Sequence, residues 1–294
     1  MRSALLRMEI NPEAIDRSRP SAVERLKKEV SRLQQEVESA KRHGSKELAS
    51  ELMSALGDKL VLIGDLDQAL GTYNDALRVS REIGDRKGEA DVLNDISQVC
   101  KVRGEYDSAL SYLEESLSIR KKIGDREGEG TILNNISQIY KVHGEYDTAL
   151  DYLRQSLAIS REIGDRQGEG ATLNNISQVY DARGEYDTAV EYLEQALAIQ
   201  RAIGDRKGEG TTLNNMATTF LSRGEYDTAL DYLRQSLTIS REIGDRQGEG
   251  VTLNNMATTL LARGEYDTAQ DYLRQSLAIR REIGDRSATE PRQP

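Results

Sequence analysis

Tryptophan is absent from this chain of 294 residues, and phenylalanine occurs once. Only 37% of the residues are apolar against 31% charged, which is lean for a single globular core of that length. An elongated array, whose units bury only their contacts with neighbours, manages with less. The one cysteine, Cys100, excludes an intrachain disulfide. With only His43 and His143 beside it, no Cys/His cluster can be assembled for zinc. No stretch approaches the run of about 18 apolar residues that a membrane span needs. Residues 1–10 lack the hydrophobic segment and cleavage site of a signal peptide. These absences make a cytoplasmic location the expectation, with no membrane partner.

Charge is unevenly spread. The net charge is −10, yet residues 1–43 hold ten Lys/Arg and seven Asp/Glu, about +3. The acidic remainder argues against nucleic acid as a partner, because phosphate binding needs clustered Lys and Arg.

What the sequence has in abundance is repetition. GEYD recurs at Gly104, Gly144, Gly184, Gly224 and Gly264, and IGDR begins at Ile83, Ile123, Ile163, Ile203, Ile243 and Ile283, both with a period of 40 residues. Residues 144–183 and 224–263 are identical at 32 of 40 positions. A diverged copy has Gly64-Asp65-Leu66-Asp67 in place of GEYD, which makes six repeats. In the fourth, Leu173, Ile176, Ser177 and Tyr180 fall on one helical stripe, and Ala189, Leu193, Ala196 and Leu197 on a second. Gly184 suits the left-handed position that ends a helix, and Asp187 is placed to cap the next. Gly204 and Asp205 suit the same two roles at the other junction. All four prolines (Pro12, Pro20, Pro291, Pro294) lie outside the array, as uninterrupted helices require.

The stripe residues, the Gly184-Glu185-Tyr186 turn, Ala189, Leu193 and Ala196 resemble the tetratricopeptide signature of large and small residues. The resemblance covers about 80% of the chain and recurs in register. The usual proline after the second helix is missing, and a GDR-x-GEG junction lengthens the unit. This form is similar to the repeats of spindle-orientation adaptors and of many prokaryotic arrays. Leu-Asn-Asn-Met-Ala (213–217 and 253–257) also resembles kinesin light chains. The resemblance implies an all-α, right-handed superhelical α-solenoid of six helix pairs and a non-enzymatic binding protein. The repeats are placed at about 50–83, 90–123, 130–163, 170–203, 210–243 and 250–283, within 45–286.

In that family the first helix of each pair lines the concave wall. The face opposite the stripe then carries Asn134, Asn135 and Gln138; Asn174, Asn175 and Gln178; Asn214, Asn215 and Thr218; Asn254, Asn255 and Thr258; and, earlier, Asn94, Asp95 and Gln98. Asparagine is a mediocre helix former, so its doubling within helices asks for a reason other than local stability. A carboxamide offers a donor and an acceptor together, matching a peptide bond in an extended ligand. The expectation is an asparagine ladder that grips main chain; the alternative is that one Asn of each pair bridges to the adjacent helix and serves the stack. One turn on, Lys101, Lys141, Asp181, Leu221 and Leu261 differ between repeats. A partner segment with an acidic and an apolar stretch fits them. The two-carboxylate clamp of related chaperone-binding arrays needs Lys and Arg where Asn stands here.

Other residues read as structure. His143 takes the slot of Arg103, Arg183, Arg223 and Arg263, where a cation favours a helix C-terminus, and His43 ends the leader helix in the same way. Cys100 takes a tyrosine slot as a small buried hydrophobe. GEG lacks the Lys-Ser/Thr of a phosphate loop, so its glycines suggest close helix approach. Ten of the thirteen tyrosines occupy two repeated positions, those of Tyr186 and Tyr192, and are expected to pack. No catalytic residue, metal site or cofactor is expected.

Residues 21–43 place Val23, Leu26, Val30, Leu33, Val37 and Ala40 at heptad spacing. Either a parallel coiled-coil homodimer or a cap over the first repeat would use that seam. Gln270 replaces an aliphatic residue in the last repeat, as an array's polar outer face requires. Residues 1–20 and 287–294 are expected to be disordered. Two roles remain open: an adaptor that holds an extended peptide in the groove, and a peptide sensor whose superhelix changes curvature.

Overall fold

The structure is a computed structural model, and it describes residues 22–283. The expectations for 1–20 and 287–294 lie outside them, as does the side chain of Val23. The described residues form thirteen α-helices and no strand. A lone helix, α1 (Ala22–Arg42), precedes six pairs. The pairs are α2 (Lys46–Leu62) with α3 (Leu66–Ile83), α4 (Arg86–Val102) with α5 (Tyr106–Ile123), and α6 (Arg126–Val142) with α7 (Tyr146–Ile163). They continue as α8 (Arg166–Ala182) with α9 (Tyr186–Ile203), α10 (Arg206–Ser222) with α11 (Tyr226–Glu242), and α12 (Arg246–Arg263) with α13 (Tyr266–Ile283). First helices begin about two turns before the first apolar stripe residue, Arg166 against Leu173 in α8, because the R-x-GEG part of the junction is itself helical.

Each helix stops for an identifiable reason. Gly184 (φ 77°) and Gly204 (φ 72°) adopt the left-handed conformation that closes a helix and that a side chain resists. Asp205 then caps α10, its carboxylate accepting from the Gly208 amide at 2.9 Å. Gly208 is required there, since a Cβ would stand 2.2 Å from that carboxylate. The glycines at this slot therefore serve the cap, not helix approach. The second glycine of GEG is not required for approach either. A Cβ on Gly130 would meet Ser156 and Ile159 of α7 only at 3.6 Å. Ala90 stands in the same slot, accepting from Ser116 at 2.8 Å as Gly130 does from Ser156 at 2.9 Å. Asp187 departs from expectation. Glu185 is the residue before α9 and makes no side-chain cap, while Asp187 lies inside the first turn and pairs with Arg223 at 2.7 Å. A carboxylate in a first turn is favoured by the helix dipole without capping anything.

Both stripes are buried: Leu173, Ile176, Leu193 and Ala196 sit at the contacts of α8 and α9. First helices of successive pairs also pack on one another, α6 on α8, α8 on α10 and α10 on α12. Second helices pack chiefly against the first helices on either side. First helices therefore form the inner wall and second helices the outer one.

The lone helix α1 fits this scheme as half a repeat. Its Leu26, Val30, Leu33, Val37 and Ala40 stand 40 residues before Leu66, Leu70, Tyr73, Leu77 and Ser80 of α3. Gly44 (φ 73°) matches Gly84 (φ 75°), and the amide bond closing the helix, Ser45 N–H to Ala40 O, matches Asp85 N–H to Ser80 O. Val30, Val37 and Ala40 are buried, with α1 packed on α2. The heptad seam thus covers the chain's own first pair.

Candidate binding groove

The inner wall is set by the junctions beneath it. Arg201 and Arg206 both hold Glu209, a buried carboxylate, the first at 2.8 Å; Arg161 with Arg166 and Arg241 with Arg246 hold Glu169 and Glu249 in the same way. At the helix ends, Arg183, Arg223 and Arg263 each reach back 36 residues to Asp147, Asp187 and Asp227. His143 breaks that series and stands edge-on to Tyr106, with ring centroids 5.5 Å apart. These ties fix the pitch at which groove side chains repeat.

The paired asparagines have unequal roles. Asn134 donates to Ser156 Oγ (2.6 Å) and Thr172 Oγ1 (2.9 Å), Asn174 to Thr212 Oγ1 (2.8 Å), and Asn214 to Thr252 Oγ1 (2.8 Å). Their carbonyl oxygens accept from the second asparagine of the following repeat: Asn175 to Asn134 at 2.9 Å, Asn215 to Asn174 at 3.1 Å, Asn255 to Asn214 at 3.2 Å. Asn135 does the same to Asn94 at 2.8 Å. The first carboxamides are spent within the stack. The second ones, half-buried, use one N–H in the stack, and their Oδ1 atoms make no hydrogen bond among the described residues. The Asn254 carboxamide makes no such bond among the described residues.

Beyond the asparagines the wall changes along its length. Lys101 donates to Gln98 (3.0 Å) and, across the repeat, to Gln138 (2.9 Å); Lys141 donates to Gln178 (2.7 Å). Burial lowers the pKa of both ammonium groups, and repulsion from Lys141 adds to the effect on Lys101. Asp181, next in the column, faces Lys141; burial raises its pKa, and its Oδ1 is buried without a hydrogen bond. Leu221 and Leu261 follow, the latter 42% exposed, with Thr218 and Thr258 exposed beside them.

The sequence places Asp95 on this face but not its electrostatics, and one column escapes it altogether. Asp95 takes the place of a second asparagine near Asp58 and Asp91, and its pKa is pushed up to about 7 by burial and then by those two charges. A further column runs one turn before the asparagines: Asp91, Thr131, Ala171, Thr211 and Val251, all exposed. Comparing the copies at every surface position would have found it, since it varies in every repeat but two.

The residues set aside as structural pack. Cys100 is buried, Tyr180 stacks on Tyr192, Tyr140 on Tyr152 and Phe220 on Tyr232. The exception is Tyr266 in the last repeat, which is exposed. Among the described residues no cluster of His, Cys, Asp and Glu could hold a metal ion, and no helix is long and apolar enough to cross a membrane.

Comparison with known proteins places this arrangement. No curated protein matches the sequence. Among solved structures, BtubC (BKLC) from P. vanneervenii is similar over 92% of this chain and 96% of its own, at 20% identity and a TM-score of 0.57. A putative kinesin light chain from Podosopora anserina, with nearly identical TPR-like repeats, covers 67% of this chain and 97% of its own (18% identity, TM-score 0.54). A Rap protein complexed with competence and sporulation factor covers 81% and 76% (14% identity, TM-score 0.61). At such identities the likeness concerns the fold. A family profile, the tetratricopeptide repeat, matches residues 48–122, 88–162, 128–202 and 208–282. The chain belongs to the tetratricopeptide repeat family.

Proposed function

We propose that the chain is a protein-interaction adaptor that holds an extended segment of a partner along its inner wall. One observation carries the reading: a row of carboxamide oxygens on Asn135, Asn175, Asn215 and Asn255, each anchored through its nitrogen and without a hydrogen bond to its oxygen. Neighbouring helices pack about 8–10 Å apart and a strand rises about 3.3 Å per residue. One rung therefore meets every third main-chain N–H of an extended ligand. Each bond contributes about 0.5–1.5 kcal/mol net, so affinity accumulates over several rungs. Lys101 and Lys141 receive an acidic stretch, and Leu221 and Leu261 an apolar one.

The test alters the ligand and leaves the stack untouched. A peptide selected from a displayed random library is N-methylated at one position at a time. The expected result is loss of affinity at every third residue or so, by about fivefold each. Full affinity at every methylated position overturns the ladder.

A sensor role has its own support. Lys101 and Lys141 bridge adjacent repeats through Gln138 and Gln178. A ligand carboxylate that recruits those ammonium groups removes ties between repeats, and one similar structure is a Rap protein complexed with competence and sporulation factor. X-ray scattering with and without a bound acidic peptide decides. A changed radius of gyration supports the sensor; an unchanged one leaves the adaptor.

A further inference from the structure

A cleft of about 360 Å³ opens on the inner wall where α10, α11 and α12 meet. Ile239, Ile243 and Val251 supply its apolar lining, Gly210 and Gly248 its close backbone, and Asn215 and Asn255 its edge. Ile243 and Val251 are 42% and 44% exposed. Ser240, small like Ser80 and Ser160 in the same slot, lies at its base, whereas Arg120 and Gln200 take that slot at two other junctions. There the longer chain fills the space: Gln200 lies 3.5 Å from a Cβ built on Gly170 and accepts from Thr212 at 2.6 Å.

Charge at the mouth is one-sided. Arg206 is engaged by Glu209 and Glu242, and the Asp245 carboxylate accepts from the Gly248 amide. Lys207, also on the cleft's rim and exposed, forms no ion pair among the described residues. The wall thus presents an apolar hollow, two carboxamide oxygens without hydrogen bonds, and one cation left over.

We propose that this cleft is a side-chain anchor for a peptide segment in which an aliphatic residue stands next to an aspartate or glutamate. The aliphatic side chain enters between Ile239, Ile243 and Val251. The carboxylate meets Lys207, and main-chain N–H groups meet Asn215 and Asn255. The inference rests on the groove reading and names a specificity site within it, at the opposite edge of the wall from Leu221 and Leu261.

The fold supplies its own test variants. Ser240→Gln installs the side chain that Gln200 already carries in this slot, with Thr252 standing where Thr212 bonds it. Val251→Asp installs the residue that Asp91 represents in the second repeat. The probe is a displayed library of random dodecapeptides, panned on the full chain, followed by the synthetic consensus peptide in solution. Expected is enrichment of Leu, Ile or Val beside Asp or Glu. Affinity should then fall by about tenfold or more in Ser240→Gln and Val251→Asp, the loss of one buried aliphatic side chain. Lys207→Gln should cost about three- to fivefold for the acidic peptide and nothing for its amide counterpart. Melting temperatures of the three variants should match the parent. Wild-type affinity in both Ser240→Gln and Val251→Asp overturns the anchor. If exchange protection still places that peptide on α8, α10 and α12, the groove reading stands alone. A library that yields no binder overturns both.

Discussion

The junctions between helix pairs and the inner wall above them obey different rules. At the junctions the copies agree: IGDR occurs six times, and at the five junctions that lead into a further pair Glu89, Glu129, Glu169, Glu209 and Glu249 are buried between cationic side chains. On the wall the copies part. One column passes from Lys101 and Lys141 through Asp181 to Leu221 and Leu261, and another from Asp91 to Val251. Side chains that set the spacing are fixed by geometry, because a changed one misplaces every later helix. Side chains in these wall columns set no helix end: Lys101 and Lys141 reach Gln138 and Gln178 of the next repeat, yet Asp181, Leu221 and Leu261 take their place in other copies. That freedom is what a specificity surface requires.

The largest effect is expected where the comparison is strictest. Glu209→Ala removes a buried carboxylate holding two guanidinium groups, each bond to a charged group being worth about 1.5–3 kcal/mol. Arg201 and Arg206 are about half exposed and regain water, so a net loss of about 2–3 kcal/mol in urea unfolding is expected. A loss below about 0.5 kcal/mol would place the junction among ordinary surface positions and dissolve the contrast.

An intermediate effect is expected at Asp95, a wall position that behaves like a junction. Its folded pKa of about 7 lies above the unfolded value, near about 3.9. The folded state therefore binds the proton more tightly, and stability falls as pH rises between about 4 and 7. Asp95→Asn, which restores the residue type of the other repeats, should flatten that slope. It should raise the melting temperature most at pH 8, by several degrees, about a third as much at pH 5, and barely at about pH 3.5. Parallel curves for the two proteins across this range would show that burial and the charges of Asp58 and Asp91 do not hold the proton there.

The smallest effect on stability belongs to the column that passes from cations to leucines, where Leu221 is only partly buried. Leu221→Lys copies Lys101 and Lys141 and should move stability by no more than about 0.5 kcal/mol. Its mark should appear in peptide selection, as a shift from apolar to acidic residues opposite α10. A large drop in melting temperature would make this leucine a core residue.

The period and its punctuation made the fold legible: the glycine and aspartate signals placed the helix ends, and the stripes placed the core. Asp187 misled because a carboxylate just after a turn suits both a cap and a first-turn site, and only backbone geometry separates them. The asparagines were half legible. Two carboxamides in one helix turn announce a role other than helix stability. That the first is spent bridging repeats and the second keeps its oxygen depends on Thr172 and Thr212 in the next helix, which no single repeat contains. The cleft at Ser240 was hidden for a related reason, because it depends on a slot that serine leaves open and that Arg120 and Gln200 fill in two other copies.

The half-repeat α1 makes the outer wall one helix longer than the inner, seven against six among the described residues. Both extremes of the described array are consequently outer-wall helices, α1 and α13, and every groove-lining helix has an outer helix on each flank. Terminal helices carry the fraying of a linear stack. Here that loosening falls on elements that line no part of the groove, so the first and last rungs keep the spacing of the middle ones.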